Sequence, residues 1–383
     1  MKKIKFTTAG ESHGELLLGI IEGIPSNLEI TEEYIYKQLK RRQMGFGRGK
    51  RMKIESDKPH ICSGVRLGKT LGSPIGLIIK NNDWDNWKKK MNVNFTDKPI
   101  KKITIPRPGH ADLAGAMKFD FDDIRNVIER SSARETAMRV AVGSICRKLL
   151  EQYNIKVGSY VTSIYKYKDN SDYNCLKVND INKQADKSDV RCLNKSIEKK
   201  MINAIKDAQK KGDSLGGSFQ VHISGVPYGL GSYTSWNEKL NAKLGKAILS
   251  INGIKSFDVG LGELSEQKLG SELHDEIQYN QTFERTTNNC GGIEGGMSNG
   301  QRIILSATMK PIPTLIKPLK SVDMHTKEAV LAHKERTDSC SVPAASIIAE
   351  SMACIIICDA LLEKFGGDSM QQLTKHIESS AKY

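Results

Sequence analysis

The chain has 383 residues, of which 38% are hydrophobic, 27% charged and 6% aromatic. A chain of this length and composition can bury a substantial core, which excludes disorder as its main state. Lysine and arginine together number 58 against 44 acidic residues, and the formal net charge is +14. Because only 15 of the 58 basic residues are arginines, most of the excess is lysine, which is weak support for a nucleic-acid partner.

Cysteine usage and the N-terminal sequence predict a cytoplasmic protein. The eight cysteines contain no C-x-x-C pair, and Cys354 and Cys358 lie in an apolar helical stretch, as reduced core residues do. No apolar segment near the N-terminus is long enough for a signal peptide, and Asp359 interrupts the longest apolar run, near 352–362. We therefore expect no membrane partner.

Two segments about 200 residues apart share a pattern of glycine, serine and proline, which indicates an internal repeat. Gly10-Glu-Ser-His-Gly14 is followed by Gly23-Ile-Pro25, and Gly212-Asp-Ser-Leu-Gly216 is followed by Gly225-Val-Pro227 at the same spacing. Alternating apolar residues indicate a strand in each copy, namely Leu16, Leu18 and Ile20, then Phe219, Val221 and Ile223. A helix is predicted after each proline, over 31–42 and 235–250. The repeat predicts two related halves, at about 1–150 and 212–365.

The repeat also separates structural positions from functional ones. The shared glycine and proline positions are needed for turns and for close backbone approach. His13 differs, because Leu215 stands at the equivalent position of the second copy. A residue that is polar in only one copy is the better functional candidate.

The remaining long segments complete the expected organisation. Residues 166–211 are rich in lysine, aspartate and asparagine and predict a peripheral insertion with one amphipathic helix. Residues 343–365 predict a buried helix with Pro343 in its first turn. We expect a single domain over 1–365, followed by an amphipathic tail over 366–383.

A basic, glycine-rich stretch over 37–53 is the first candidate binding site. It contains no acidic residue, and its centre is Gly45-Phe-Gly-Arg-Gly-Lys50. Such a loop can bring guanidinium groups and backbone amides onto an anion, although it lacks the P-loop pattern. A solvated basic loop or an RNA contact explains the composition equally well.

The segment Arg130-Ser-Ser-Ala-Arg-Glu135 is predicted to open a helix that runs through Leu150. Ser132 and Glu135 have the spacing of a capping box. A helix N-terminus presents free amides and partial positive charge, and Arg130 and Arg134 add guanidinium groups, so a phosphate or carboxylate site is predicted here. A well-capped core helix is the simpler alternative.

Other loops combine arginine, histidine and aspartate or are rich in glycine and proline. Arg107-Pro-Gly-His-Ala-Asp112 and Arg336-Thr-Asp338 are of the first kind, and 288–296 and 310–314 are of the second. The glycine- and proline-rich segments either shape a pocket for a flat ligand or are turns. The eight histidines show no H-x-H or H-E-x-x-H pattern, so no metal site is predicted. Together these residues suit a small polyanion and proton transfer.

In this order along the chain, the motifs resemble the chorismate synthase family. The likeness runs from about residue 5 to residue 365, and the ordered set is far more specific than any single motif. The set includes the segments around His13 and Ser214, Arg48 to Glu55, Arg107 to Asp112, Glu129 to Thr136, Met309 to Thr314, and Arg336-x-Asp338.

The resemblance implies an α+β fold, a β-α-β sandwich with helices between two antiparallel sheets and an internal pseudo-twofold repeat. It implies a carbon–oxygen lyase that removes phosphate from 5-enolpyruvylshikimate 3-phosphate by anti 1,4-elimination. The product is chorismate, in the last step of the shikimate pathway of aromatic amino acid biosynthesis. Reduced FMN (FMNH2) and a homotetramer are also implied. Some family members reduce their flavin with NADPH and others use an external reductant, and the sequence leaves this open.

The resemblance also assigns roles to individual residues. His13 would protonate or hydrogen-bond the departing phosphate, His110 would stabilise negative charge on the flavin pyrimidine, and Asp338 would lie near flavin N5. Substrate anions would be held by Arg42, Arg48, Arg51, Arg107, Arg134 and Arg336, with Ser12 and Ser132 nearby. The flavin would be held by Arg42, Arg48, Arg130, Ser131, Ser132, Asn252, Gly253, Gly295, Lys310, Pro311, Ile312, Pro313, Thr314 and Arg336.

Two positions depart from the family pattern. Gly253 stands where the family commonly has alanine, a small change that should keep the backbone contacts. Ser339 stands where the family usually has proline, which predicts a looser loop around Asp338.

Two alternatives from other functional classes are weighed against the lyase. An RNA-binding protein that uses 37–53 is disfavoured, because no RRM, KH or zinc-knuckle pattern accompanies the charge. An FMN oxidoreductase with net hydride transfer would consume reductant in a stoichiometric amount, and this separates it from the lyase.

Overall fold

The structure, a computed structural model, describes residues 3–49, 54–97, 99–335 and 337–380. Its strands are β1 (Lys5–Ala9), β2 (Leu16–Glu22), β3 (Pro59–Ile61), β4 (Val65–Arg66), β5 (Lys69–Thr70), β6 (Ile75–Lys80), β7 (Lys156–Ile164), β8 (Tyr167–Lys168), β9 (Gly217–Ser224), β10 (Ile254–Val259), β11 (Ile277–Asn280), β12 (Thr282–Arg285), β13 (Ile293–Glu294), β14 (Met297–Ser298), β15 (Ile303–Met309), β16 (Lys320–Val322) and β17 (Ala329–Leu331). Its helices are α1 (Glu32–Gln43), α2 (Trp84–Trp87), α3 (Asp112–Phe119), α4 (Arg125–Ser131), α5 (Thr136–Gln152), α6 (Val178–Ala185), α7 (Lys195–Lys211), α8 (Leu240–Leu249), α9 (Gly270–Leu273), α10 (Val342–Phe365) and α11 (Met370–Ser380).

Two antiparallel sheets enclose a layer of helices. The first sheet has the strand order β1-β2-β6-β3, and the second has the order β10-β15-β9-β7-β8. Helix α5 packs against β2 and β6 of the first sheet, α10 packs against β7 and β9 of the second, and the two helices pack against each other. The predicted α+β sandwich is confirmed.

The two sheets repeat one topology. β1, β2, β6 and β3 are neighbours in the first sheet, as β7, β9, β15 and β10 are in the second. α1 follows β2 as α8 follows β9, and α5 ends the first copy as α10 ends the second. The second copy therefore begins at β7, ahead of the expected boundary at 212, because the repeated motif lies at its second strand.

The core face of β2 differs from the face that its alternating apolar residues mark. Leu17 and Ile21 are buried, whereas Leu18 and Ile20 are 44% and 49% exposed. Gly19 lies between the buried pair, where a Cβ would approach Sδ of Met138 in α5 to 2.5 Å. Because successive strand residues point to opposite faces, the predicted apolar set is one residue out of register with the core.

The polar segment 166–211 is joined to the core by a buried carboxylate, so it is less peripheral than its composition predicts. Glu350 of α10 is fully buried. It pairs with Arg41 of α1 at 2.9 Å, with Arg147 of α5, and with Arg191 of the polar segment at 3.3 Å. Arg191 is only 2% exposed. One charge cluster therefore links three helices to this segment.

Helix α10 is the central apolar element. By length and composition it could cross a membrane, but 94% of its most apolar window is buried inside the structure, as in the core helix of a globular protein. Cys354 and Cys358 are buried free thiols, as predicted. The tail forms α11, which packs on α10 through the buried Leu373.

Candidate active site

A cavity of about 440 Å³ lies where loops from both copies meet. Its lining includes parts of the turn 11–14, the segments 42–49, 107–111 and 131–136, and the segments 251–253, 309–314 and 335–348. Small-molecule sites typically measure ~300–1,000 Å³. The cavity is therefore of a size that suits a metabolite or cofactor.

Most of the predicted site residues line this cavity, although they come from distant parts of the sequence. They are Ser12, His13, Arg42, Arg48, Arg107, His110, Ser131, Ser132, Arg134, Asn252, Gly253, Lys310, Pro311, Ile312, Pro313, Thr314 and Asp338. Arg51 and Arg336, also predicted as ligands of anions, lie outside the described residues.

Two predicted flavin ligands lie away from the lining within this chain. The Arg130 guanidinium donates hydrogen bonds to the carbonyl oxygens of Thr8 at 2.7 Å and Gly10 at 3.1 Å. It thereby fastens the end of β1. Gly295 is exposed at positive φ in the turn between β13 and β14, where it shapes a hairpin.

Ser132 caps a short turn rather than the long helix that was expected. Its hydroxyl accepts the N–H of Arg134 at 3.3 Å, and residues 133–135 form a 3-10 turn before α5 begins at Thr136. Glu135 pairs instead with Arg139 at 2.6 Å. The predicted capping box is wrong, because the Glu135 carboxylate has a stronger charged partner.

His13 has a carboxylate on one ring nitrogen and an aromatic ring on one face. Its Nδ1 lies 2.9 Å from Oε1 of Glu129, and its ring stacks on Trp87 with centroids 3.8 Å apart. Burial alone would raise the pKa of Glu129, but the hydrogen bond and charge of His13, with the charge of Arg125, lower it. The carboxylate is therefore ionised at neutral pH and keeps a proton on Nδ1 of His13.

His110 has a similar partner. Its Nδ1 lies 2.6 Å from Oδ1 of Asp112, which is fully buried and accepts hydrogen bonds from Arg107 at 2.8 and 3.0 Å. Burial would raise the pKa of Asp112, but His110 and Arg107 hold it well below its usual range. Both candidate catalytic histidines thus have an ionised carboxylate on Nδ1, which fixes the tautomer and the position of each ring.

The four described arginines of the predicted anion site are already paired with carboxylates. The nitrogen–oxygen distances are 3.4 Å for Arg42 and Asp57, 2.8 Å for Arg48 and Asp338, and 2.8 Å for Arg107 and Asp112. Arg134 pairs with Asp57 and also lies 3.5 Å from a carboxylate oxygen of Glu55. Burial and neighbouring guanidinium groups lower the pKa of Arg42 to about 10, although Asp57 opposes the shift. These guanidinium groups are therefore oriented, and partly neutralised, before any anion binds.

Asp338 is held by contacts at both carboxylate oxygens. Oδ1 accepts the backbone N–H of Gly49 at 2.6 Å. Oδ2 accepts hydrogen bonds from the Ser341 hydroxyl at 2.8 Å and contacts Arg48 at 2.8 Å. The glycine-rich loop before residue 50 and the segment before α10 are therefore joined at the cavity wall.

The neighbouring Ser339 strengthens this connection. Its N–H donates to the carbonyl oxygen of Gly47 at 2.8 Å, and its own carbonyl accepts the N–H of Leu215 at 2.8 Å. A proline at this position has no N–H to donate. The prediction of a looser loop around Asp338 is wrong, because serine supplies a backbone hydrogen bond that proline cannot.

A further part of the wall carries an unsatisfied acceptor. Nδ2 of Asn252 donates to the carbonyl oxygen of Ser131 at 2.9 Å, while its buried Oδ1 has no hydrogen-bond partner among the described residues. Nearby in the lining, Nζ of Lys310 donates to the carbonyl oxygen of Gly109 at 2.6 Å. A buried acceptor of this kind is satisfied when a ligand N–H reaches it.

Nearly the whole chain is similar to proteins of one family. The family model of chorismate synthase matches residues 4–362. The chain is 54% identical over 374 residues to the chorismate synthase of Alkaliphilus metalliredigens, with 97% of each chain covered. It is 48% identical over 387 residues to that of Aquifex aeolicus, with 99% of this chain and 97% of that one covered. The chain belongs to the chorismate synthase family.

A solved structure supports the same relationship. A crystal structure of a chorismate synthase matches this chain with a TM-score of 0.80 at 37% identity, and the match covers 100% of this chain and 98% of that chain. The resemblance to the chorismate synthase family and the expected enzyme class, a carbon–oxygen lyase, are confirmed.

Sequence reasoning does not find every residue that shapes the site in this chorismate synthase family member. Glu129 lies within a motif, and the available signal is a carboxylate on the buried face of α4, next to Ile128. Trp87 lies in the four-residue helix α2 and gives no such signal. Asp57 is also missed, because only the folded chain brings it to Arg42 and Arg134.

Proposed function

We propose that this chain catalyses the anti 1,4-elimination of phosphate from 5-enolpyruvylshikimate 3-phosphate to give chorismate, the last step of the shikimate pathway. The observation that carries the proposal is one cavity, in a chain of this family, that combines two carboxylate-held histidines with four oriented arginines. A substrate with a phosphate and two carboxylates needs cations in fixed positions and a proton donor beside its leaving group. The lining supplies both types of group.

In this proposal His13 donates a proton or hydrogen bond to the departing phosphate, which stabilises the charge that develops on it. The Ser12 and Ser132 hydroxyls, 3.0 Å apart, lie beside it in the lining. Substrate anions are held by Arg42, Arg48, Arg107 and Arg134, with Arg51 and Arg336 as further proposed ligands. Because Arg42, Arg107 and Arg134 are buried, their charge interactions are stronger than in water.

We also propose reduced FMN as the cofactor. The orphaned Oδ1 of Asn252 fits a planar ring with N–H donors, and the residues that would hold this ring are Ser131, Ser132, Gly253 and Lys310 to Thr314. His110, fixed by Asp112, would stabilise negative charge on the ring, and Asp338 would assist proton transfer. When bound, reduced flavin would lend an electron for cleavage of the substrate C–O bond and would take up the proton that the substrate ring loses, with no net redox change.

An anaerobic assay tests the function directly. With 5-enolpyruvylshikimate 3-phosphate and reduced FMN, we expect one phosphate released per chorismate formed and no stoichiometric loss of reductant. Loss of one reductant per phosphate would instead indicate an oxidoreductase, and salt-dependent RNA binding without turnover would indicate an RNA-binding protein. The same assay with NADPH as the only reductant decides whether the chain reduces its own flavin.

We further propose a cytoplasmic homotetramer with a single domain over 1–365 and the tail 366–383. One cluster of buried side chains runs from Ile4 to Leu373, which supports a single domain with the tail packed on it. Ile277, Tyr279 and Phe283 on the β11–β12 hairpin are 64%, 70% and 57% exposed, which supports burial against another copy. Analytical ultracentrifugation measures the oligomeric state.

We expect Arg134→Lys to weaken substrate binding, although it keeps the charge. The Arg134 guanidinium contacts Asp57 and Glu55 and donates to Oδ1 of Asn81 at 3.0 Å. One ammonium group cannot make all of these contacts, so the KM for 5-enolpyruvylshikimate 3-phosphate should rise about 10-fold or more, as for a lost charged hydrogen bond. Steady-state kinetics measure this change.

Arg139→Lys is the matched control for Arg134→Lys. Arg139 lies in α5 and pairs with Glu135 and Ser250, outside the cavity lining. Its replacement should leave KM unchanged. Equal substrate affinity for wild type and Arg134→Lys would contradict a guanidinium contact at this position.

A further inference from the structure

Glu129 organises the turn that carries His13. Its carbonyl oxygen accepts the N–H of Ser12 at 2.9 Å, and its Oε2 accepts the N–H of His13 at 2.7 Å. Its Oε1 lies 2.9 Å from Nδ1 of the same histidine. Glu129 is only 2% exposed, so water does not compete for these contacts. One residue of α4 therefore fixes both the backbone and the ring of His13.

Two more side chains close a ring of contacts around His13. Arg125, one turn before Glu129 in α4, donates to Oε1 of Glu129 at 3.1 Å. The guanidinium carbon of Arg125 lies 5.1 Å from the centroid of Trp87, and Trp87 stacks on His13 with an interplanar angle of 21°. We call these four residues, His13, Trp87, Arg125 and Glu129, the His13 cluster.

Charged and aromatic side chains hold His13 from two sides. Arg125 also contacts Glu335 at 2.8 Å, so its positive charge is shared between two carboxylates and does not neutralise Glu129 alone. The stacked Trp87 restricts rotation of the His13 imidazole about its side-chain bonds. A carboxylate on the far nitrogen of a histidine orients the ring and stabilises its positive charge, as in Ser-His-Asp triads.

We infer that Glu129 is a positioning residue for the elimination, and that it acts by keeping the proton on Nδ1 of His13 and by stabilising the charge of the doubly protonated ring. The inference rests on the proposed function, because it explains how His13 is held ready to protonate the departing phosphate. Glu129 itself touches His13, and the proton moves between His13 and the phosphate oxygen.

Glu129→Gln tests the inference, because it keeps the size of the side chain and removes the charge. We expect kcat to fall about 10²-fold, within the range of general acid catalysis, while KM and the affinity for reduced FMN stay near wild type. The matched control is Glu135→Gln. Glu135 is another buried carboxylate, but it pairs with Arg139 and Thr8 outside the cavity lining, so its replacement should leave kcat unchanged.

Glu129→Asp separates a charge effect from a packing effect. Aspartate keeps the negative charge on a shorter side chain, so it should recover part of the lost kcat. If Glu129 only filled space, aspartate would be the worse replacement and glutamine the better one. That order of activities would overturn the inference.

A double-mutant cycle asks whether Glu129 acts through His13. In a His13→Ala background, Glu129→Gln should cause no further loss of kcat, because the ring that it positions is already absent. If Glu129→Gln lowered kcat in the His13→Ala background by the same factor as in wild type, the inference would be overturned.

A spectroscopic measurement does not depend on turnover. In protein labelled with 15N at histidine, the His13 signals should report a proton on Nδ1 in wild type and lose that preference in Glu129→Gln. Unchanged signals would contradict the role of Glu129. If wild type released no phosphate from 5-enolpyruvylshikimate 3-phosphate, the proposed function would fail, and the spectra would still decide whether Glu129 controls the tautomer.

Discussion

Replacing His13 with alanine is expected to lower kcat by about 10²–10⁴-fold, the usual contribution of a positioned proton donor. The expected affinity for reduced FMN is unchanged, because the proposed flavin ligands lie in other segments of the lining. Single-turnover phosphate release and flavin titration measure the two quantities separately.

The fold should tolerate this change for two reasons. Leu215 occupies the equivalent turn of the second copy, so the position does not require a polar side chain. The backbone N–H of residue 13 can still donate to Oε2 of Glu129 after the substitution. A control is His60→Ala, because His60 is exposed on β3, outside the cavity lining. Turnover by His13→Ala at the wild-type rate would contradict the role of His13 as a proton donor.

Glu350→Ala is expected to lower the free energy of unfolding by about 3–5 kcal/mol, the cost of leaving buried charges without their partner. The substitution strips Arg41, Arg147 and Arg191 of the fully buried carboxylate that they share. Denaturant unfolding at neutral pH measures the change. Glu363→Ala on the same helix is the control, because its partly exposed ion pair with Lys243 should contribute about 0–1 kcal/mol.

The same cluster predicts how stability depends on pH. Burial alone would raise the pKa of Glu350, but the three arginines lower it to about 2. An unperturbed glutamate titrates at about 4.3, so this contribution is fully present above that pH and is lost as the pH falls toward 2. Between these pH values wild type should lose more stability than Glu350→Ala. Parallel losses in the two proteins would contradict the assignment.

Local patterns predict the elements of this fold better than they predict the site. Helix α10 follows from a long apolar run that begins at a proline, and the repeat follows from the spacing of its glycines and prolines. The core face of β2 does not follow, because Leu18 is as apolar as Leu17 and only the approach of α5 decides which of them is buried.

The site itself is predictable from the sequence only through the ordered motifs of the family. The family resemblance predicts a pocket lined by arginines, but the folded chain pairs those arginines with carboxylates such as Asp57 that no local pattern connects to them. Ser339 is a second residue whose contacts cannot be predicted from its neighbours in the sequence. Its effect depends on the carbonyl oxygen of Gly47, almost 300 residues earlier, and not on its own neighbours.

The two copies of the repeated topology contribute different residues to the cavity. The first copy carries both histidines and all four paired arginines, Arg42, Arg48, Arg107 and Arg134, whereas the second carries Asn252, the 310–314 loop and Asp338. The proposed donor to the phosphate, His13, and the paired arginines therefore come from one copy, and much of the proposed flavin contact comes from the other, while the strand order is the same in both. Neither copy forms the cavity alone, so a single half of this chain would lack one wall of the site.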